Sequence, residues 1–355
     1  MQPTPLKALQ MIKGRHYWVL GGVFVLVQLI LLFRFGIETG LEAEKYIEQG
    51  TRLWQGEGLG EEKYLFYAPV ILLVWLLKSL GLPLFIVCVF QVLLSGFSQF
   101  CFYKVMKRMA GADLALCGSL LLLFFIPYQI WNLFLYSDSI FQSTVLLLGC
   151  SIYYSLHNRR ILYQVLPFLL LAIVFFSRPN GMFLIPPFII FLVLQQKPFS
   201  HKLFAAFISL AFIILAAVCA NYIFANGNDM NILLPYIEEH IICFVPTRDA
   251  ASVLHLSQTG SALGDFWYYV SHNSLHFIKM TFLRLGSIFT LNRPYYGTSH
   301  NIYLLGYSLM IYGLAIVGIK RFIRMKSGMR PFIFSLILLY PFAIVFNVTT
   351  GIAGL

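Results

Sequence analysis

The densest group of acidic side chains lies in Thr39-Gly-Leu-Glu42-Ala-Glu44-Lys-Tyr46-Ile-Glu-Gln-Gly50-Thr-Arg-Leu53-Trp54. At helical spacing Glu42, Tyr46, Gly50 and Trp54 share one face, so a carboxylate is held beside aromatic rings. Partial desolvation there raises its proton affinity toward the range a general base needs. Thr39-x-x-Glu42 also fits a capping box, in which Glu42 only starts a helix. Glu44 and Glu48 fall on other faces and read as solvated.

Asp138 is a lone acid in Leu135-Tyr-Ser-Asp-Ser-Ile140, between two apolar runs. It fits a helix cap, and an acid at membrane depth is equally a functional candidate. Ser177-Arg-Pro-Asn-Gly181 puts Arg178 and Asn180 at the end of an apolar run. The guanidinium there either snorkels to water or grips phosphate oxygens two at a time. Asn292-Arg-Pro-Tyr-Tyr-Gly-Thr-Ser-His-Asn301 combines Arg293, Tyr295 and His300, with an interfacial aromatic belt as the plainer account of the tyrosines. Arg293 and Lys279 are candidates to neutralise an anionic ligand. His272-x-x-x-His276 has metal-binding spacing on a helix, but it lacks the glutamate of HExxH and a third ligand at fixed spacing. No GxGxxG after a strand, no Walker A sequence and no GxSxG occurs. Soluble nucleotide cofactors and serine hydrolysis are therefore unsupported, no cofactor is firmly implied, and a divalent metal is left open. The six cysteines have no CxxC spacing and indicate no disulfide framework.

The elements that must position these residues are apolar. Of 355 residues 59% are hydrophobic and 11% charged, and the mean hydropathy is +0.79. A soluble domain carries about 25% charged residues, so an all-α polytopic membrane bundle is expected. Runs of near-spanning length occur at 17–34, 84–103, 112–131, 139–156, 161–177, 181–196, 203–225, 301–319 and 331–348, about nine spans in a single transmembrane domain over 1–355. The first reads as an uncleaved span rather than a signal peptide. The stretch Tyr67 to Leu80 is short and ends in Gly81 and Pro83, and it fits either a span or a helix lying in the outer interface; charge decides for the second.

Charge supports that layout. With nine spans and the N-terminus inside, the inner side collects 15 basic residues against one acid, Asp113. Were Tyr67 to Leu80 to cross, the clusters at 104–108 and 320–330 would face outward. The net charge of +11 is then a matter of topology and anionic lipid, with no nucleic-acid partner. Two outer segments remain, 36–83 with juxtamembrane helices and seven acids, and 226–300 with five of the eight histidines. A catalytic surface is expected on the outside.

This layout resembles the GT-C superfamily of integral-membrane glycosyltransferases, which includes the protein O-mannosyltransferases and lipid A aminoarabinose transferases. The similarity rests on Glu42-Ala-Glu-Lys-Tyr46-x3-Gly50 followed by Phe66-Tyr67-Ala-Pro69, on Asp138, on Arg178-Pro179, and on the stretch from Arg293 to Asn301. Glu42 stands where the family commonly has Asp or Asp-Glu, and Gly50 where it has Ala. Relatives often continue with further spans or an outer domain, so a short or truncated member is expected. The resemblance implies transfer of a hexosyl or pentosyl group from a polyprenyl-phosphate donor to a glycan, lipid or protein acceptor, at the outer face of a bacterial plasma membrane. It implies Glu42 as general base with Asp138 as a second catalytic acid. Tyr46, Tyr67, Arg178, Asn180, Arg293, Tyr295 and His300 would bind substrate. A transporter or lipid flippase is the rival class, weakened because the spans carry almost no ionisable residues. An O-antigen-type polymerase or ligase would lean on Arg248 and Arg284.

Overall fold

The computed structural model describes residues 5–195, 207, 210–211, 213–214, 217–219, 221–222, 233–241, 254–257, 261–290, 293, 296–324 and 328–340. Among them are fourteen α-helices and no strand. The chain divides into two compact units, residues 1–60 with 64–181, and residues 61–63 with 182–355.

The first unit holds α1 (Pro5–Phe35), α2 (Glu42–Gln55), α3 (Ala68–Ser79), α4 (Phe85–Ala110), α5 (Ala112–Phe124), α6 (Ile126–Gln129), α7 (Ser137–His157) and α8 (Ile161–Ser177). The second holds α9 (Ile185–Gln195), α10 (Leu234–Ile237), α11 (Ala262–His272), α12 (Ser274–Thr290), α13 (Thr298–Arg324) and α14 (Arg330–Leu339). Among the described residues four helices are long and apolar enough to cross a bilayer, Arg15–Phe35, Phe85–Ala110, Ser137–His157 and Thr298–Lys320. A fifth is the pair α5 and α6, continued by a 3-10 turn to Leu133 and bent by 70°. Of the remaining expected spans, Ile161–Ser177, Pro179–Gln195 and Arg330–Leu339 are apolar but shorter. The run 203–225 lies mostly outside the described residues, and 331–348 is described only to 340. The apolar side chains that face outward, such as Trp18 and Phe33 at 85% and 87% exposure, need a hydrocarbon surround, because a patch of this extent in water drives association.

The bend after α5 has a local cause. Pro127 has no N–H to give the Leu123 carbonyl and its ring crowds that carbonyl, so α5 ends at Phe124, Phe125 leaves the helical region and the chain restarts at Ile126. The Gln129 side-chain amide donates to the Leu122 carbonyl at 2.9 Å, which satisfies a backbone acceptor near the break.

Helix α3 has 12 residues, about 18 Å of rise against a hydrocarbon layer of about 30 Å. It lies against α2 and buries Val70, Ile71, Val74 and Leu77. Its partner face on α2 is Ala43, Tyr46, Gln49 and Gly50, which corrects the expected stripe. Tyr46 and Gly50 do point inward, but Trp54 is 54% exposed, because the four-residue steps drift off a face that α3 covers only in part. Gly50 is the point of closest approach. A Cβ there would lie 2.5 Å from Val74 Cγ1 and 3.2 Å from the Ile71 carbonyl oxygen. Gly50→Ala is therefore expected to cost about 1–3 kcal/mol by overpacking, read as a lower melting temperature of the purified protein. Val74→Ala in the same chain should recover only part of it, because the Val74 Cβ that alanine keeps would still lie 2.8 Å away; full recovery would rule out that backbone-level approach as a cause.

Candidate active site

A short segment of loop is tied to the start of α7 before any side chain is considered. Glu38 N–H donates to the Leu133 carbonyl at 3.1 Å and Leu135 N–H to the Glu38 carbonyl at 3.0 Å, an isolated parallel bridge between 38 and 134. The Gln91 amide on α4 donates to the Tyr136 carbonyl at 2.6 Å. The first acidic segment and the Ser137-Asp138 turn are thus held together by backbone.

Tyr46 sits at the centre of that junction. It is fully buried, its hydroxyl lies 3.5 Å from Ser137 Oγ, and its ring packs on Tyr67 with centroids 5.2 Å apart. Burial pushes the phenol upward, with Glu42 and Tyr67 adding to the rise while Arg178 and the Ser137 hydrogen bond oppose it. Glu42, Tyr67 and Arg178 are thereby all within electrostatic reach of one hydroxyl. Lys45 covers the two rings, its Nζ 5.1 Å from the Tyr46 centroid and 5.0 Å from that of Tyr67.

Glu42 differs from its expected setting in two ways. It is the first residue of α2, whose N-cap is Leu41 with no side-chain hydrogen bond, so the Thr39-Glu42 capping box does not form. Its carboxylate instead accepts from Lys45 Nζ at 2.8 Å, and its side chain is 43% exposed. The desolvation expected of it is absent, because α3 packs against the next faces of α2 and leaves the first turn open. Glu44 and Glu48 are exposed as expected.

Asp138 does not cap α7 either. The N-cap position is Tyr136, again without a side-chain bond, and Asp138 lies in the first turn, where the helix dipole favours an anion. Its carboxylate accepts a hydrogen bond from the Arg178 guanidinium, with the two side chains 14% and 19% exposed. Arg178 is turned toward it by its own sequence. Pro179 disfavours helical backbone before it, so α8 stops at Ser177 and Arg178 is extended. Gly181 then closes the turn, its N–H donating to the Arg178 carbonyl at 2.8 Å. A Cβ at Gly181 would fall 2.2 Å from the Val174 carbonyl oxygen, so no other residue fits there without a shift. Asn180 is half-buried in this turn.

The second unit holds the remaining candidates. Arg293 is 4% exposed, and its guanidinium donates to the Ser287 carbonyl at 3.0 Å. Its backbone is locked to the Asn301 side chain, which accepts from the Arg293 N–H at 3.1 Å and donates to its carbonyl at 3.0 Å. His300 stacks on Tyr296 at 4.3 Å. Tyr295 lies outside the described residues, as does Arg248. Arg284 is fully buried, its guanidinium 4.1 Å from the Tyr236 ring centroid and its Nε donating to the His240 carbonyl at 2.9 Å. The expected His272-His276 pair on one helix is not formed, because α11 ends at His272 and α12 starts at Ser274. His276 instead bonds Tyr269 through Nδ1 at 2.6 Å and faces Glu239 through Nε2 at 3.2 Å. Among the described residues no three His, Cys, Asp or Glu side chains cluster as a metal site.

One feature escaped the sequence reading. Beneath the Ser137-Asp138 turn a chain of buried uncharged amides crosses the first unit. Gln28 donates to Gln129 at 3.0 Å, Asn132 donates to Ser95 at 3.2 Å, and Ser139 donates to Asn132 at 2.6 Å. Such bonds tie helices together in hydrocarbon, where unpaired polar groups are costly. The signal was available as glutamines inside apolar runs.

Residues 68–224 match the model of the dolichyl-phosphate-mannose-protein mannosyltransferase family. No curated protein and no solved structure matches the chain.

Proposed function

With a GT-C-type membrane glycosyltransferase supported by that match, we propose that the chain moves a sugar from a polyprenyl-phosphate donor to an acceptor hydroxyl at the outer face of a bacterial plasma membrane. The observation that carries this reading is the pairing of Arg178 with Asp138, next to Ser137, whose hydroxyl meets that of the buried Tyr46. An apolar tail lies among spans, and a guanidinium at their end meets the phosphate.

Roles follow from setting. Glu42 is the general base: it is open to an acceptor arriving from water, and Lys45 orients its carboxylate. Asp138 accepts one N–H of Arg178 and leaves the rest of the guanidinium donors for phosphate oxygens, so Asp138 acts by positioning a cation. Tyr67 and Asn180 contact the donor, and the buried Tyr46 supports Tyr67 from beneath. Arg293, Tyr295 and His300 keep the substrate-binding role that the resemblance implies.

The test is a transfer assay with the purified full chain in right-side-out vesicles. A polyprenyl-phosphate-linked sugar should be transferred to an impermeant acceptor added outside. Transfer from a nucleotide sugar instead, or only to an enclosed acceptor, would overturn the donor or the sidedness respectively.

A further inference from the structure

The first unit carries a groove apart from the Ser137-Asp138 turn. Between α1, α4 and α5 runs a groove of about 230 Å³. Tyr17, Phe24 and Phe100 wall it, and two glycines, Gly21 and Gly96, keep it open. A Cβ at Gly21 would meet nothing within 4 Å, whereas one at Gly96 would already press on the Phe24 ring at 3.1 Å. On the floor Ser119 is 3% exposed, and its hydroxyl has no hydrogen-bond partner in the protein. A buried hydroxyl of this kind normally finds an acceptor.

The mouth of the groove is cationic. Lys107 Nζ lies 5.1 Å from the Tyr17 ring centroid and Lys104 Nζ 4.9 Å from that of Phe100, so both ammonium groups sit on rings that wall the groove. Arg15 is exposed nearby in sequence, and the exposed acid at this end is Asp113. Lys107 is sixteen residues beyond Gln91, which bonds the loop of the candidate active site; that is about 24 Å along α4. One headgroup cannot occupy both places.

We propose that this groove binds an anionic phospholipid. Lys104 and Lys107 hold the phosphate, one acyl chain lies between Tyr17, Phe24 and Phe100, and Ser119 donates to an ester carbonyl. The occupant is a phospholipid rather than a polyprenyl phosphate because the ester supplies the acceptor that Ser119 lacks. The site stands independently of the sugar-transfer reading.

Native mass spectrometry of the purified full chain, titrated with phosphatidylglycerol, phosphatidylcholine or a polyprenyl monophosphate, tests it. Phosphatidylglycerol should be retained over phosphatidylcholine, and Lys104→Gln/Lys107→Gln should weaken that retention by about 30-fold, roughly fivefold for each cation. Gly21→Leu, which fills the groove from a helix position with free space, should lower retention of both phospholipids. Equal retention of the two phospholipids, or retention unchanged in the lysine variant, would overturn the proposal. So would displacement of phosphatidylglycerol by polyprenyl monophosphate. Both lysines lie near the exposed end of α4, so their variant decides the matter even if Gly21→Leu folds poorly.

Discussion

Glu42→Gln is expected to lower sugar transfer by roughly 100-fold or more, the scale of a lost general base, while the protein folds and melts almost as before. The structure makes the two effects separable. Glu42 caps nothing, since Leu41 holds the N-cap position without a side-chain bond, and its one polar partner is Lys45 on the same exposed turn. An exposed ion pair of that kind is worth less than about 1 kcal/mol. Thr39→Ala should be silent for the same reason. Near-normal transfer by Glu42→Gln would end the assignment.

The Asp138-Arg178 pair should give the larger structural effect. Both side chains are mostly withdrawn from water, so removing one partner leaves the other charge uncompensated. Asp138→Asn or Arg178→Ala is expected to destabilise the protein by about 2 kcal/mol or more. Replacing both with apolar residues, Asp138→Leu/Arg178→Met, should recover stability, because an isosteric apolar pair avoids the desolvation of two charges. Activity should not return in the double variant if Arg178 meets the donor phosphate. Arg178→Lys adds a finer reading: charge is kept, the planar fork is lost, and the apparent KM for donor should rise. A double variant that is both stable and active would reduce the pair to a structural clasp.

Much of the fold was legible along the chain. Apolar runs of spanning length place the spans Arg15–Phe35, Ser137–His157 and Thr298–Lys320 within three residues of their bounds, and find the start of Phe85–Ala110 but end it seven residues early, since burial in hydrocarbon demands continuous apolar sequence while a helix can run on past it. The bounds of the short helix after Tyr67 were legible, with Gly81 and Pro83 closing it. The bend after α5 was not anticipated, although Pro127 is its cause; composition averages over a window, and one missing N–H does not change the average.

At the site, sequence by itself determined which residue types stand at the ends of the spans: an acid-rich first segment, a lone Asp138, and an arginine forced out of helix by Pro179. These are local facts, set by side-chain chemistry and by the steric rule at proline. Tertiary structure alone decided the partners. Asp138 and Arg178 are forty residues apart, Tyr46 and Ser137 ninety-one, and neither pairing has a spacing that a single helix could reveal. The purely structural roles read from local patterns, a capping box at Glu42 and a helix cap at Asp138, failed for one reason. Local hydrogen bonds compete with partners delivered by packing, and α3 and α8 delivered a covered Tyr46 and a guanidinium that a sequence window cannot contain.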